Sequence, residues 1–301
     1  MTFSIIGRDP ETGDLGVAVQ SKFICVGTIV PWAQANIGAV ATQAWANTTY
    51  GPDGLELLKT GKGAKEALQK LISVDEMKEV RQVAMIDAKG EVDAFTGKEC
   101  FEWAGHIVGE NYSCQGNILT GQETVEVMAS AFEKTNGDLV TKLLAALQAA
   151  DKEGLGDARG KQSASLLVVR EKGGYGGYTN RLVDIRVDEH EEPIKELSRV
   201  LELYDMIFLT REDPSALLDI RGEVASRIKQ VMVELRYLSS EGLSTGSEWG
   251  KKEMDALEAW TGINNFENKL RNDGKIWKSV YDYLIKEKGT PYISFRKMSE
   301  I

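Results

Sequence analysis

The sequence predicts an α+β protein. Two β-sheets pack face to face with helices outside, a four-layer α/β/β/α arrangement, and a small all-α region follows. Three observations predict this. Strand signals cluster at the start, middle and end of the first two-thirds of the 301 residues. Two pairs of helical patterns fall between those clusters. The strict strand–helix alternation of a doubly wound parallel sheet is absent. Residues 1–205 carry the mixed pattern and residues 211–301 read as helices alone, which places a boundary at about 205–215.

Thr2–Arg8 reads as the first strand, and the turn Asp9-Pro10-Glu11-Thr12-Gly13-Asp14 returns the chain into a second at 15–22. A third, at 37–44, carries small residues that let backbones approach closely. The polar turn 47–54 leads to helices at 54–60 and 64–72, where Leu55, Leu58, Ala67, Leu68 and Leu71 keep helical spacing. A hairpin around Ala88-Lys89-Gly90 joins strands at 81–87 and 91–95. Short strands at 106–109 and 112–115 precede helices at 123–134 and 138–152, the second with Asp138 as N-cap. Strands at 163–170 and 181–187 flank the glycine-rich turn 173–178. Helices are then expected at 194–210, 224–239, 253–260 and 277–284. The apolar stripe Ile228, Val231, Met232, Leu235 and Leu238 marks the second of these.

Composition narrows the function. A formal net charge of −10 argues against nucleic-acid binding, which needs a basic footprint, and against an anionic membrane surface. Cys25, Cys100 and Cys114 have neither disulfide-framework nor zinc spacing, and two histidines, His106 and His190, cannot build a rich metal cluster. No cofactor and no metal are expected. No basic-then-apolar leader and no apolar run of spanning length is read, so a cytoplasmic location is expected.

The candidate chemistry begins at Thr2. A methionine before so small a residue is usually trimmed, and trimming Met1 would leave a threonine with its α-amine beside its hydroxyl. That amine titrates at about 7.7–8.0, so one residue supplies both nucleophile and base. The second strand ends Gln20-Ser21-Lys22. Lys22 reads either as a cation that activates the nucleophile or as a surface lysine at a strand end. The run from Thr42 and Gln43 through Asn47 to Tyr50 offers amides and hydroxyls to a developing oxyanion, or simply caps the next helix. Asn117, in Gln115-Gly116-Asn117, has the same two readings. Arg159 can fork onto a carboxylate, with Gln162 in the same loop, and His106 is a lone imidazole at a strand start.

Several of these stretches resemble DUF1028, a bacterial family assigned to the N-terminal-nucleophile (Ntn) hydrolase superfamily. They include Met1-Thr2-Phe3-Ser4-Ile5, Gly38-Ala39-Val40-Ala41-Thr42-Gln43-Ala44, Tyr50-Gly51-Pro52, Trp103-Ala104-Gly105-His106, Gln115-Gly116-Asn117 and Arg159-Gly160-Lys161-Gln162-Ser163-Ala164. The resemblance covers roughly residues 1–200 and implies the α/β/β/α Ntn sandwich, with Thr2 as nucleophile. Proteasome β subunits of that superfamily place an acidic residue where this chain has Gln20. Residues 211–301 resemble a small helical peptidoglycan-binding-like domain, through Val231–Leu238 with Gly242 and Ala256-Leu257-Glu258-Ala259-Trp260 with Gly262.

The expected function is therefore amide hydrolysis on a small substrate. Thr2, Lys22 and Asn117 would be catalytic, and Ser21, Thr42, Gln43, Asn47, Tyr50, His106, Arg159 and Gln162 would line the binding site. A non-catalytic binding protein on the same scaffold is the alternative. Expected partners are a small-molecule substrate, a second copy in a homo-oligomer, and a peptidoglycan fragment, with neither nucleic acid nor membrane.

Overall fold

The structure, a computed structural model, describes residues 2–209, 211–239 and 249–293. The expectation about Met1 and the resemblance at Gly242 fall outside the described residues. Among the described residues the fold is mixed α+β with several sheets and eight helices, and the chain divides into two compact units after Leu201.

In the first unit, β1 (Thr2–Arg8) lies centrally in a six-stranded antiparallel sheet. Its companions are β2 (Leu15–Ser21), β7 (Gly105–Gly109), β8 (Tyr112–Asn117), β9 (Ser163–Val169) and β10 (Arg181–Val187), in the order β10-β9-β2-β1-β8-β7. A four-stranded sheet follows the order β3 (Pro31–Gln34), β4 (Gly38–Ala44), β5 (Arg81–Asp87), β6 (Val92–Thr96). Alternate side chains leave opposite faces of a strand. Ile6, Val17 and Val19 of one sheet therefore share a buried cluster with Ala39, Ala41, Ala84 and Ile86 of the other. Val40, Val83 and Met85 face the opposite way, onto Leu55 and Leu58 of α1 (Tyr50–Lys59) and Leu68 and Leu71 of α2 (Ala64–Ser73). Each such apolar side chain contributes about 1.5–3 kcal/mol by leaving water.

The outer face of the larger sheet is covered by α3 (Glu123–Lys134) and α4 (Leu139–Ala150). Asp138 caps α4 as expected, accepting the Thr141 N–H at 3.0 Å. The approach is close: a Cβ on Gly16 would stand 2.7 Å from Leu143 Cδ1. Strand β3 was not expected. It has four residues, none buried, so the apolar alternation that marks a strand is lacking.

A long helix, α5 (Pro193–Phe208), follows β10, and the second unit is built from α6 (Gly222–Glu234), α7 (Lys251–Ile263) and α8 (Lys278–Lys286) around Ile228, Met232, Leu257, Trp260 and Leu284. It is not purely helical. β11 (Leu217–Asp219) pairs with β12 (Lys275–Trp277), a ladder of three residues with Leu218 opposite Ile276. Three-residue strands are too short for a periodicity to register. The helix expected at 224–239 stops at Glu234, because Arg236 turns left-handed at φ 67° and the N–H groups of Tyr237 and Leu238 close back onto Met232 O. Among the described residues no helix is long and apolar enough to cross a membrane.

Candidate functional site

The two sheets meet through a layer that is apolar at one end and polar at the other. Strand pairing builds the polar end in rows. Thr2 lies opposite Asn117 of β8, and its Oγ1 is 3.0 Å from Ser21 Oγ at the end of β2. Ser21 in turn pairs with Ser163 of β9. Four strands thus contribute Asn117, Thr2, Ser21 and Ser163 to one line, and all four are buried. Both Ser21 and Asn117 were expected near Thr2, and the sheet brings them there because β2 and β8 run antiparallel to β1 on either side.

One row deeper, Ser4 pairs with Gln115 of β8, and Gln43 of β4 pairs with Gln82 of β5. These side chains close a network between the sheets. Ser113 Oγ donates to Gln115 Oε1 (2.9 Å), Gln115 Nε2 to Ser4 Oγ (2.6 Å) and Ser4 Oγ to Gln43 Oε1 (2.7 Å). Gln82 is the hub. Its Oε1 accepts from Gln43 Nε2 at 2.8 Å and from Asn117 Nδ2 at 3.0 Å. Its Nε2 donates to Gly116 O, Thr96 Oγ1 and Gly105 O at 2.7, 2.9 and 3.1 Å. Buried amides must be paired, and here nearly every one is. Thr96 Oγ1 also lies 2.8 Å from His106 Nδ1, so His106 joins the network at its exposed margin.

The segment after β4 is held by a different cluster. Ala44 turns left-handed at φ 67°. Thr42 Oγ1 donates to Asn47 O at 3.0 Å, and Asn47 Oδ1 accepts from Thr49 N at 3.1 Å. Tyr50 OH donates to Asp75 Oδ2 at 2.7 Å, and Arg81 Nε reaches the same oxygen at 3.0 Å. Arg81 Nη1 also holds Trp45 O. Burial raises the Asp75 carboxyl, but hydrogen bonds from Tyr50, Arg81 and the Met77 N–H outweigh it and bring the group down to about 2. The same burial and the neighbouring carboxylate push the Tyr50 phenol up, so it stays a donor. Asn47 and Tyr50 therefore serve first to fix this loop.

Lys22 is exposed just past Ser21, and its Nζ donates to Lys161 O at 3.1 Å. Arg159 lies with its Nη2 3.6 Å from Asp157 Oδ2, and the Gln162 carbonyl accepts from His190 N at 2.8 Å. Sequence reading missed Ser4, Gln82, Thr96 and Ser113, and it singled out Gln115 only as part of the Gln115-Gly116-Asn117 motif. Their signal was present: a polar residue at an inward position of a strand whose neighbours are apolar. Among the described residues no group of three or more His, Cys, Asp or Glu side chains could hold a metal ion.

The family model described as "Family of unknown function (DUF1028)" matches residues 2–197, and that described as "Putative peptidoglycan binding domain" matches residues 207–284. A crystal structure of a protein from Silicibacter pomeroyi that carries the DUF1028 model is similar to this chain, with 32% identity and a TM-score of 0.62. The similarity covers 68% of this chain and 86% of that one. No curated protein matches.

Proposed function

The chain belongs to the DUF1028 family, and on that premise we propose that it is an Ntn-type amidohydrolase whose nucleophile is Thr2 once Met1 is removed. The two facing sheets with helix pairs outside are then the α/β/β/α sandwich of that superfamily. The observation that carries the reading is the line Asn117–Thr2–Ser21–Ser163, which puts a buried hydroxyl at the head of β1 among polar neighbours. Thr2 Oγ adds to the amide carbon while its proton passes to the α-amine. The amine delivers that proton to the departing nitrogen as the C–N bond breaks, leaving an acyl ester on Thr2. Water then cleaves the ester by the same proton path. Asn117 Nδ2 gives one hydrogen to Gln82, which leaves the other for the developing oxyanion. Lys22 adds positive potential one residue beyond the line, and Arg159 and Gln162 lie in the loop that would receive the rest of the substrate.

A second reading, a binding protein without turnover, is favoured by a specific observation: the Lys22 ammonium is bonded to Lys161 O. The match over residues 207–284 supports assigning a peptidoglycan fragment to the second unit. The test is intact-mass spectrometry before and after an electrophilic acyl probe. Loss of Met1 with one adduct on Thr2 is expected. Thr2→Ala should abolish the adduct and lower any turnover by about 10³-fold or more. Equal labelling of wild type and Thr2→Ala would end the nucleophile reading in favour of binding.

A further inference from the structure

The head of β1 is closed by a buried carboxylate that no match assigns a role. Beyond Asn117 the chain turns left-handed at Ile118, φ 51°, and continues as 118–120. On one side this stretch bonds Trp103, with Leu119 N donating to Trp103 O at 2.9 Å. On its other side, the side that β1 occupies up to Thr2, it pairs with residues 156–158. Leu119 bridges Asp157, Ala158 N donates to Ile118 O at 3.1 Å and Thr120 N donates to Gly156 O at 3.0 Å. The segment 156–158 thus takes the slot of β1 directly ahead of Thr2. Two further contacts fix it there. Asp157 Oδ2 accepts the Lys22 N–H at 2.8 Å, just past the opposite neighbour of Thr2, and a Cβ on Gly156 would stand 3.3 Å from the Phe3 ring.

The Asp157 side chain is fully buried. Its Oδ1 accepts the Arg159 N–H at 2.9 Å, and the Arg159 guanidinium stands 3.6 Å from Oδ2. Lys22 and Lys161 carry cations on the adjoining strand end and loop. The Lys161 ammonium is occupied by Asp151 at 2.8 Å and Glu192 at 2.7 Å, and that of Lys22 by the Lys161 carbonyl. A carboxylate hidden from water needs cationic or N–H partners, and the backbone ahead of Thr2 is where a new cation appears when Met1 leaves.

We propose that Asp157 is the counter-ion of the Thr2 α-ammonium and positions that amine beside the Thr2 hydroxyl. The proposal rests on the Thr2 reading above. Asp157 acts through Thr2 and is a positioning residue. Its consequence is electrostatic: a neighbouring opposite charge favours the protonated amine, by about 1–3 pKa units where the pair is shielded from water. The guanidinium of Arg159 works in the opposite sense and limits the effect.

The test uses the full-length chain released at Thr2 from an N-terminal fusion, as wild type and as Asp157→Asn. The α-amine is reductively ¹³C-methylated and titrated by NMR, and unfolding by circular dichroism checks that both proteins are folded. The expected result is an α-amine pKa lower by about one unit in Asp157→Asn, with Asp157→Glu restoring part of it. The same pKa in all three folded proteins overturns the proposal. Should Asp157→Asn fail to fold, Asp157→Glu and Arg159→Gln carry the test. Removing the guanidinium must raise the wild-type α-amine pKa, and no movement in either variant overturns the proposal. Acyl-probe labelling is read separately: a shifted pKa without an adduct on Thr2 upholds Asp157 and removes the nucleophile, whereas an adduct with no shift does the reverse.

Discussion

Replacing Gln82 by leucine should loosen the polar end of the inter-sheet layer more than any nearby apolar change. Gln82 is fully buried, and its carboxamide joins β5 to β4, β6, β7 and β8 through five hydrogen bonds. Leucine fills a similar volume, so the cost comes from the partners. Asn117 Nδ2 loses its Gln82 acceptor, and Gln43 Nε2 keeps only a long contact to Gln115 O at 3.4 Å. One buried donor orphaned and a second left with that long contact, at about 1–3 kcal/mol each, give about 4 kcal/mol. The carbonyls of Gly105 and Gly116 add less, because an acceptor left alone costs less than a donor. Hydrogen exchange read by mass spectrometry on peptides from β5 and β8 measures this locally. A loss of about 4 kcal/mol accelerates exchange about a thousand-fold. Protection within five-fold of wild type would refute the reasoning, since it would mean that the network contributes no net stability.

Two other changes test the loop after β4. Gly51→Ala places a Cβ 2.2 Å from the Trp32 ring, so the indole must move and the first unit should lose about 1–3 kcal/mol in a thermal or urea transition. An unchanged midpoint would show that α1 shifts freely over β3. Asp75 carries a pH signature. Its folded pKa, about 2, lies below the unfolded carboxylate value of about 3.9, so its contribution is complete above pH 4 and is lost as pH falls toward 2. Asp75→Asn should therefore be less stable than wild type at pH 7 and converge with it near pH 2, and parallel acid limbs in the two proteins would sink the assignment.

Local pattern carried most of the elements. The bounds of β1, β5, α3 and β10 follow from alternation or helical spacing, because each buries a whole face and ends at a turn residue or cap. Proposing Thr2, Ser21, Asn117 and Gln43 as one site needed only the chain ends of strands. What local pattern missed is short or weakly amphipathic: β3 buries none of its four residues, and β11 and β12 have three residues each.

The chain's own order of residues determined where most strands and helices fall, and that polar side chains interrupt several apolar strands. Only the tertiary structure decided which of those interruptions meet. Ser4, Gln43, Gln82 and Gln115 are far apart in sequence, and nothing local distinguishes a buried glutamine from a solvated one. Pairing two sheets face to face sets their register, and a buried amide is tolerated only where that register supplies its partner. The same holds for Asp157, whose burial no local pattern marks. It lies buried ahead of Thr2 because residues 156–158 take the ladder positions that β1 leaves open.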